Sequence, residues 1–112
     1  MCQEALEHTQ QIGDRKEEAI IYRVLGNAYL QLRNPSSAIA YLQQSMAILR
    51  DLDREFDLAT TLYDYARALI ELKQTPQARE QLIEALTLFE RLQLPQERAK
   101  VKFVLAQVAD AT

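Results

Sequence analysis

The chain has 112 residues and contains few residues that break helices. It is 48% hydrophobic and 26% charged, with two glycines and three prolines. This composition favours one domain of long helices over a disordered or fibrous chain. The formal net charge is -3, whereas nucleic-acid-binding proteins usually have an excess of basic residues. The sequence shows neither the pattern of a secretion signal nor an apolar run long enough to span a membrane. The sequence therefore predicts an all-α cytoplasmic protein with no nucleic-acid or membrane partner.

The first predicted helix, residues 2–13, holds the only cysteine and the only histidine, Cys2 and His8. One cysteine excludes an internal disulfide, and one histidine excludes a two-histidine metal site. Neighbouring acids such as Glu17 and Glu18 are interpreted as solvated charges near helix starts. We therefore expect no enzymatic activity, no catalytic residue, no metal and no cofactor.

The second predicted helix, residues 15–33, has two apolar stripes about 100° apart. One contains Ile21, Leu25, Ala28 and Leu32, and the other contains Tyr22, Gly26, Tyr29 and Arg33. Two buried faces predict two neighbouring helices. The remaining strip, which begins at Ile20 and Val24, is expected to line an open surface.

The rest of the chain repeats this pattern, because residues 19–58 align with residues 59–98 without a gap. The offset of 40 residues also reaches both ends, so we divide the single domain 1–112 into a half repeat (1–14), two full repeats and a second half repeat (99–112). Asn34 and Thr75, each followed by a proline, are expected to cap helices. The remaining helices are predicted at 35–52, 54–73, 76–92 and 95–111. Such a period is typical of an α-solenoid of antiparallel helix pairs, here with about six helices.

The repeat also explains Gly26, which costs a helix interior roughly 0.5–1 kcal/mol relative to alanine. Ala66 and Ala106 hold the same position in the other units, so the position requires a small residue where two helices cross. Ala38 is the expected partner on the second helix. Gly26→Leu is expected to destabilise the protein, and Gly26→Ala to be neutral or mildly stabilising.

The chain resembles the tetratricopeptide repeat family, in the long-period form found in bacterial signalling regulators and kinesin light chains. The residues that carry the resemblance are Tyr22, Leu25, Gly26, Tyr29, Ala38 and Leu42 in the first unit and Leu62, Ala66, Leu69, Ala78, Leu82 and Ala85 in the second. Ser45 departs from the pattern, since alanine is usual there. The resemblance implies a scaffold or signalling module that binds a peptide or helix of a partner protein on its concave face.

The strip left open by helix packing supplies the candidate groove. Its residues are Ile20, Arg23, Val24, Asn27, Gln31, Tyr63, Asp64, Arg67, Glu71, Lys100, Phe103 and Gln107. Tyr63 and Phe103 are expected to anchor a partner, and the cations to orient it. Arg23, Asn27 and Lys100 also resemble part of the carboxylate clamp of chaperone-binding members, but Asp64 stands where that clamp needs an asparagine.

Two alternatives stay open at this stage. The chain is either a free-standing adaptor or the regulatory, sensor or oligomerisation segment of a larger multidomain signalling protein. Apolar residues near both ends, such as Leu6 and Leu105, also predict a longer parent array or end-to-end self-association.

Overall fold

The computed structural model describes residues 14–111 and contains five helices of equal length in that range. They are α1 (Arg15–Gln31), α2 (Pro35–Asp51), α3 (Glu55–Glu71), α4 (Thr75–Arg91) and α5 (Pro95–Ala111). Each has 17 residues. The predicted helix at 2–13, with Cys2 and His8, lies outside the described residues. None of the five helices is long and apolar enough to cross a membrane.

The helices form a solenoid in which each one packs on the next in chain order, and α1 also contacts α3. Fully buried leucines, among them Leu42, Leu62 and Leu82, fill the seams between helices. The all-α solenoid predicted from the repeat is confirmed. Ser45, the departure from the family pattern, is buried and donates a hydrogen bond of 2.8 Å to the carbonyl of Ala19 on the neighbouring helix.

The helix starts follow local capping chemistry in two cases. The carboxylate of Asp14 accepts from the backbone N–H of Glu17 at 3.1 Å, and the amide oxygen of Asn34 accepts from that of Ser37 at 3.3 Å. The predicted cap at Thr75 is wrong, because α4 already begins at Thr75. Gln74 occupies the capping position there and makes no side-chain capping bond.

Four helices end in the same Schellman motif, one or two residues earlier than predicted. After α1, the N–H of Arg33 donates to Leu30 and that of Asn34 donates to Tyr29. The same pair of bonds follows α2, α3 and α4. Each motif places one residue in the left-handed region, and these residues are Arg33 (φ 61°), Asp53 (55°), Lys73 (62°) and Gln93 (57°). Because none of them is glycine, the usual sequence signal for such an end is missing.

One predicted apolar stripe of α1 is not a buried face. Ala28 is exposed, and Leu32 is 72% exposed. In α3 the equivalent positions include Thr61 and Ala68, which are fully buried because α2 packs against α3. The stripe therefore marks the face that contacts the preceding helix, and no helix covers it on α1 within the described residues.

The predicted close crossing at Gly26 is confirmed. A Cβ atom placed on Gly26 would lie 2.6 Å from Cγ and Cδ2 of Leu42 and 3.3 Å from the carbonyl oxygen of Ala38. Small size at this position is therefore required by the approach of α2. The same distances revise the expectation for Gly26→Ala, since even one methyl group would overlap Leu42.

Each helix pair is also joined by an ion pair whose polarity reverses between units. Between α1 and α2, Arg15 contacts Asp51 at 3.2 Å, and between α3 and α4, Arg91 contacts Glu55. Under the 40-residue shift, Arg15 aligns with Glu55 and Asp51 with Arg91. Both helix pairs therefore have an ion pair at this position, but the acidic and basic residues exchange places.

Candidate functional site

The first helices of successive units, α1, α3 and α5, bring the predicted groove residues together. Asn27 on α1 hydrogen-bonds the carboxylate of Asp64 on α3. On the other side, the ammonium group of Lys100 on α5 lies 5.5 Å from the ring centre of Tyr63 on α3. We call the surface formed by the twelve predicted residues the concave groove.

Asp64 is the buried centre of the concave groove, at 6% exposure. Burial raises the pKa of its carboxyl group, because a carboxylate loses hydration there. The hydrogen bond from Asn27 and the charges of Arg67, Arg23 and Lys100 act in the opposite direction and lower the pKa, but burial prevails. Three cations from three helices thus face one poorly hydrated acid.

Most cations of the groove already have an acidic neighbour. Arg67 lies 3.7 Å from Asp64, and Lys100 lies 3.5 Å from Glu97. Arg33 lies 3.5 Å from Glu71. Because these cations already interact with carboxylates of the protein, their net attraction for an acidic partner is weaker.

Two of these groups, Arg33 and Glu97, are absent from the predicted groove. The position of Glu97 was predictable from the sequence, because it stands three residues before Lys100 and therefore on the same helix face. Arg33 had no such signal. It follows the end of α1 in a left-handed conformation, so helical periodicity does not give the direction of its side chain.

Tyr63 is half-buried, and two cations lie close to its ring. The guanidinium carbon of Arg67 lies 5.9 Å from the ring centre, near the range of a cation–π contact. Tyr63 also lines a small depression between α3 and α5 with Thr60, Phe89 and Val101. The ring of Tyr63 therefore lies between Arg67 of its own helix and Lys100 of α5.

The exposed apolar surface of the groove comes from its two outer helices. Val24 on α1 is 55% exposed, and Phe103 on α5 is 66% exposed. Ile20 is half-buried, whereas Gln31 and Gln107 are exposed. One shared cleft is lined by four of the groove residues, Asn27, Gln31, Arg67 and Glu71, together with Leu30 and Arg33.

The chemistry of the concave groove suits binding. It combines exposed apolar groups with charged and amide side chains. Across residues 14–111 we find no group of three or more histidine, cysteine, aspartate or glutamate side chains arranged to hold a metal ion.

Comparisons with known proteins agree with this architecture. A family model described as tetratricopeptide repeat matches residues 1–51. A crystal structure of a Signal Transduction ATPase with Numerous Domains (STAND) protein with a tetratricopeptide repeat sensor, from Pyrococcus horikoshii, superimposes with a TM-score of 0.80. The match covers 89% of this chain and 16% of that one at 21% identity, so the likeness is one of fold. The comparison with curated proteins found no match.

The family match lies in the first half of the chain, and the helix pairing described above continues to residue 111 with the same spacing. Helix starts at residues 15, 35, 55, 75 and 95 give each pair a length of 40 residues. Residues 1–51 match the tetratricopeptide repeat family model, and the helices from residue 15 to residue 111 are similar in fold to the structure that contains a tetratricopeptide repeat sensor.

Proposed function

We propose that this chain is a protein-interaction module that binds a peptide or helix of a partner protein in the concave groove. The observation that carries the proposal is the convergence of α1, α3 and α5 on one surface, with Val24 and Phe103 exposed on its two outer helices. Exposed large apolar side chains next to satisfied polar groups are typical of interaction sites.

Apolar contacts, rather than charge, dominate binding in this proposal. Arg67 and Lys100 are engaged with Asp64 and Glu97 in the unbound protein. A partner carboxylate must therefore displace an existing neighbour, which reduces its net gain. We expect Phe103 to contribute more than Tyr63, because its ring is the more exposed of the two.

The test compares partner capture from a lysate of the source organism by the wild type and three variants. The double variant Val24→Ala with Phe103→Ala should lose specifically captured proteins, whereas Arg67→Ala should lose few and capture should depend only weakly on salt. A control, Gln44→Ala with Glu90→Ala, changes exposed residues of α2 and α4. This control should capture the same proteins as the wild type. If the groove variant retains the full set while its melting temperature is unchanged, the concave groove is not the binding surface.

A second candidate function is a sensor or regulatory arm of a larger signalling protein. The tetratricopeptide repeats of the Pyrococcus horikoshii protein are named as its sensor, and they form part of a much longer chain. This second proposal assigns the chain to the long-period repeats of bacterial regulators, with the predicted repeats at 19–58 and 59–98. The surrounding gene sequence tests it, because a nucleotide-binding domain on the same polypeptide would favour the sensor arm over an adaptor.

A further inference from the structure

A second cleft lies away from the concave groove, between the second helices of the two units. Its walls come from α2 and α4, and its floor comes from the C-terminal half of α3. On α3, Tyr65 and Leu69 line this cleft, whereas Tyr63 and Arg67 line the groove. Residues two apart on a helix point about 200° apart, so the two surfaces use opposite sides of α3.

The walls of the cleft are rich in carboxamides. Gln74, Gln77 and Gln81 follow one face at the start of α4, and Gln43 stands opposite on α2. Nε2 of Gln43 donates to the hydroxyl of Tyr65 at 3.1 Å. Each carboxamide offers two donors and one acceptor oxygen, so the walls present both kinds of group. A backbone in extended conformation needs both, since its N–H and C=O groups are not used internally.

The floor of the cleft is apolar. Leu69 of α3 is buried there, and it is flanked by two half-buried residues, Ile39 at the base of the α2 wall and Leu72 just after α3. The cavity volume is about 520 Å³, within the range of about 300–1,000 Å³ typical of ligand sites. The cleft is open to solvent along one side, which suits a chain lying across it. A polar wall over an apolar floor matches an extended peptide whose alternate side chains point inward.

The charge of the lining restricts the occupant further. Glu80 is the one ionisable acid among the lining residues, and the same lining contains no lysine or arginine. Covering a partner's carboxylate or phosphate here would bury charge without a counter-charge, which is unfavourable. The lining therefore disfavours acidic peptides, nucleotides and nucleic acids.

We propose that the cleft between α2 and α4 is a second binding surface that takes an extended peptide segment without acidic side chains. The carboxamides of Gln43, Gln77 and Gln81 hydrogen-bond its backbone, and small apolar side chains of the peptide contact the half-buried Ile39 and Leu72. This surface is independent of the concave groove, so the failure of one proposal leaves the other standing.

The experiment selects random peptides displayed on phage against the purified groove variant Val24→Ala with Phe103→Ala, so that peptides specific for the concave groove are not enriched. The affinities of the enriched peptides are then measured by fluorescence anisotropy. The cleft variant is Gln77→Glu with Gln81→Glu, which keeps side-chain size while replacing donor groups with negative charge. The matched control is Gln44→Glu with Gln96→Glu, the same chemical change at exposed glutamines outside the cleft.

We expect enriched peptides poor in Asp and Glu whose affinity falls roughly tenfold or more in the cleft variant. The control and the groove variant Val24→Ala with Phe103→Ala should bind these peptides as the wild type does. Circular dichroism checks that all variants keep their helices. The proposal is overturned if no peptide is enriched, if the enriched peptides are acidic, or if they bind the cleft variant with unchanged affinity.

Discussion

Replacing Gly26 with alanine is the sharpest perturbation available in this fold. In most helix interiors the change stabilises by roughly 0.5–1 kcal/mol, because glycine loses more conformational freedom on folding. Here the added Cβ would lie 2.6 Å from two carbons of Leu42. Favourable carbon contacts begin at about 3.5 Å, so Leu42 has to retreat by about 1 Å.

The surroundings of Leu42 determine the cost of that retreat. Leu42 is 0% exposed and packs in a cluster with Leu30, Ala38 and Ala68. Overpacking a dense seam costs about 1–3 kcal/mol. After the gain in helix propensity is subtracted, we expect Gly26→Ala to lower the free energy of unfolding by about 0.5–2 kcal/mol. The melting temperature should fall by about 4–8 °C for each kcal/mol lost.

A double-mutant cycle followed by urea denaturation separates the clash from the propensity term. Leu42→Ala alone should destabilise by about 2–5 kcal/mol, since it leaves a cavity. In that background Gly26→Ala should stabilise, because the overlapping carbons have been removed. Equal effects of Gly26→Ala in both backgrounds, or stabilisation in the wild type, would refute the close approach of α1 and α2.

The second unit supplies a matched control at the equivalent position. Ala66 is fully buried and pairs with Ala78 and Leu82 where the first unit has Gly26, Ala38 and Leu42. Ala66→Gly removes a methyl group that is already accommodated and adds backbone freedom, so it should destabilise by about 1 kcal/mol or more. The two units thus respond to opposite substitutions at one repeat position.

Three further predictions concern the helix ends, the ion pairs and the buried acid. Lys73→Gly should raise the free energy of unfolding by up to about 1 kcal/mol in urea titrations, because a left-handed residue with a Cβ atom is strained, whereas Lys73→Val should lower it. Arg15→Glu and Asp51→Arg should each lower the melting temperature slightly, since the pair is exposed, and the double variant should restore it by reproducing the polarity of the second unit. For Asp64, burial raises the folded-state pKa above the ordinary 3.8, so the folded state binds the proton more tightly. The contribution of Asp64 to the free energy of unfolding therefore decreases as pH rises from 3.8 through the raised pKa. Across that pH range the wild type should lose stability relative to Asp64→Asn. A stability difference between the two proteins that does not change with pH would contradict the burial of a titrating carboxyl group.

The repeat and its helices were predictable from the sequence because both depend on periodic residue type. The 40-residue offset places Gly26 over Ala66 and Leu42 over Leu82, and all four residues are buried in the structure. The residues of the concave groove were predicted from the same periodicity. The strip that contains Asn27 was predicted by assigning two other faces of α1 to packing, although one of those faces is uncovered within the described residues.

The ends of helices were harder to predict because their sequence signal is local and was missing here. A glycine after each helix would have marked the Schellman motifs, but Arg33 and Lys73 occupy those positions. A cap such as Thr75 likewise depends on the turn that precedes it, and that turn is set by Leu69 accepting from the N–H of Gln74.

What the sequence determined by itself is therefore the architecture: the all-α solenoid and the order of the helices between residues 14 and 111. Only the tertiary structure decided the chemistry of the surfaces, because it depends on distances between residues far apart in the chain. Asp64 was predicted as one groove residue among many, but only the fold buries it and brings Asn27 and Lys100 from two other helices close enough to lower its pKa. The carboxamide cleft had no periodic signal, since Gln43 and Gln77 become neighbours only when α2 and α4 stack across α3.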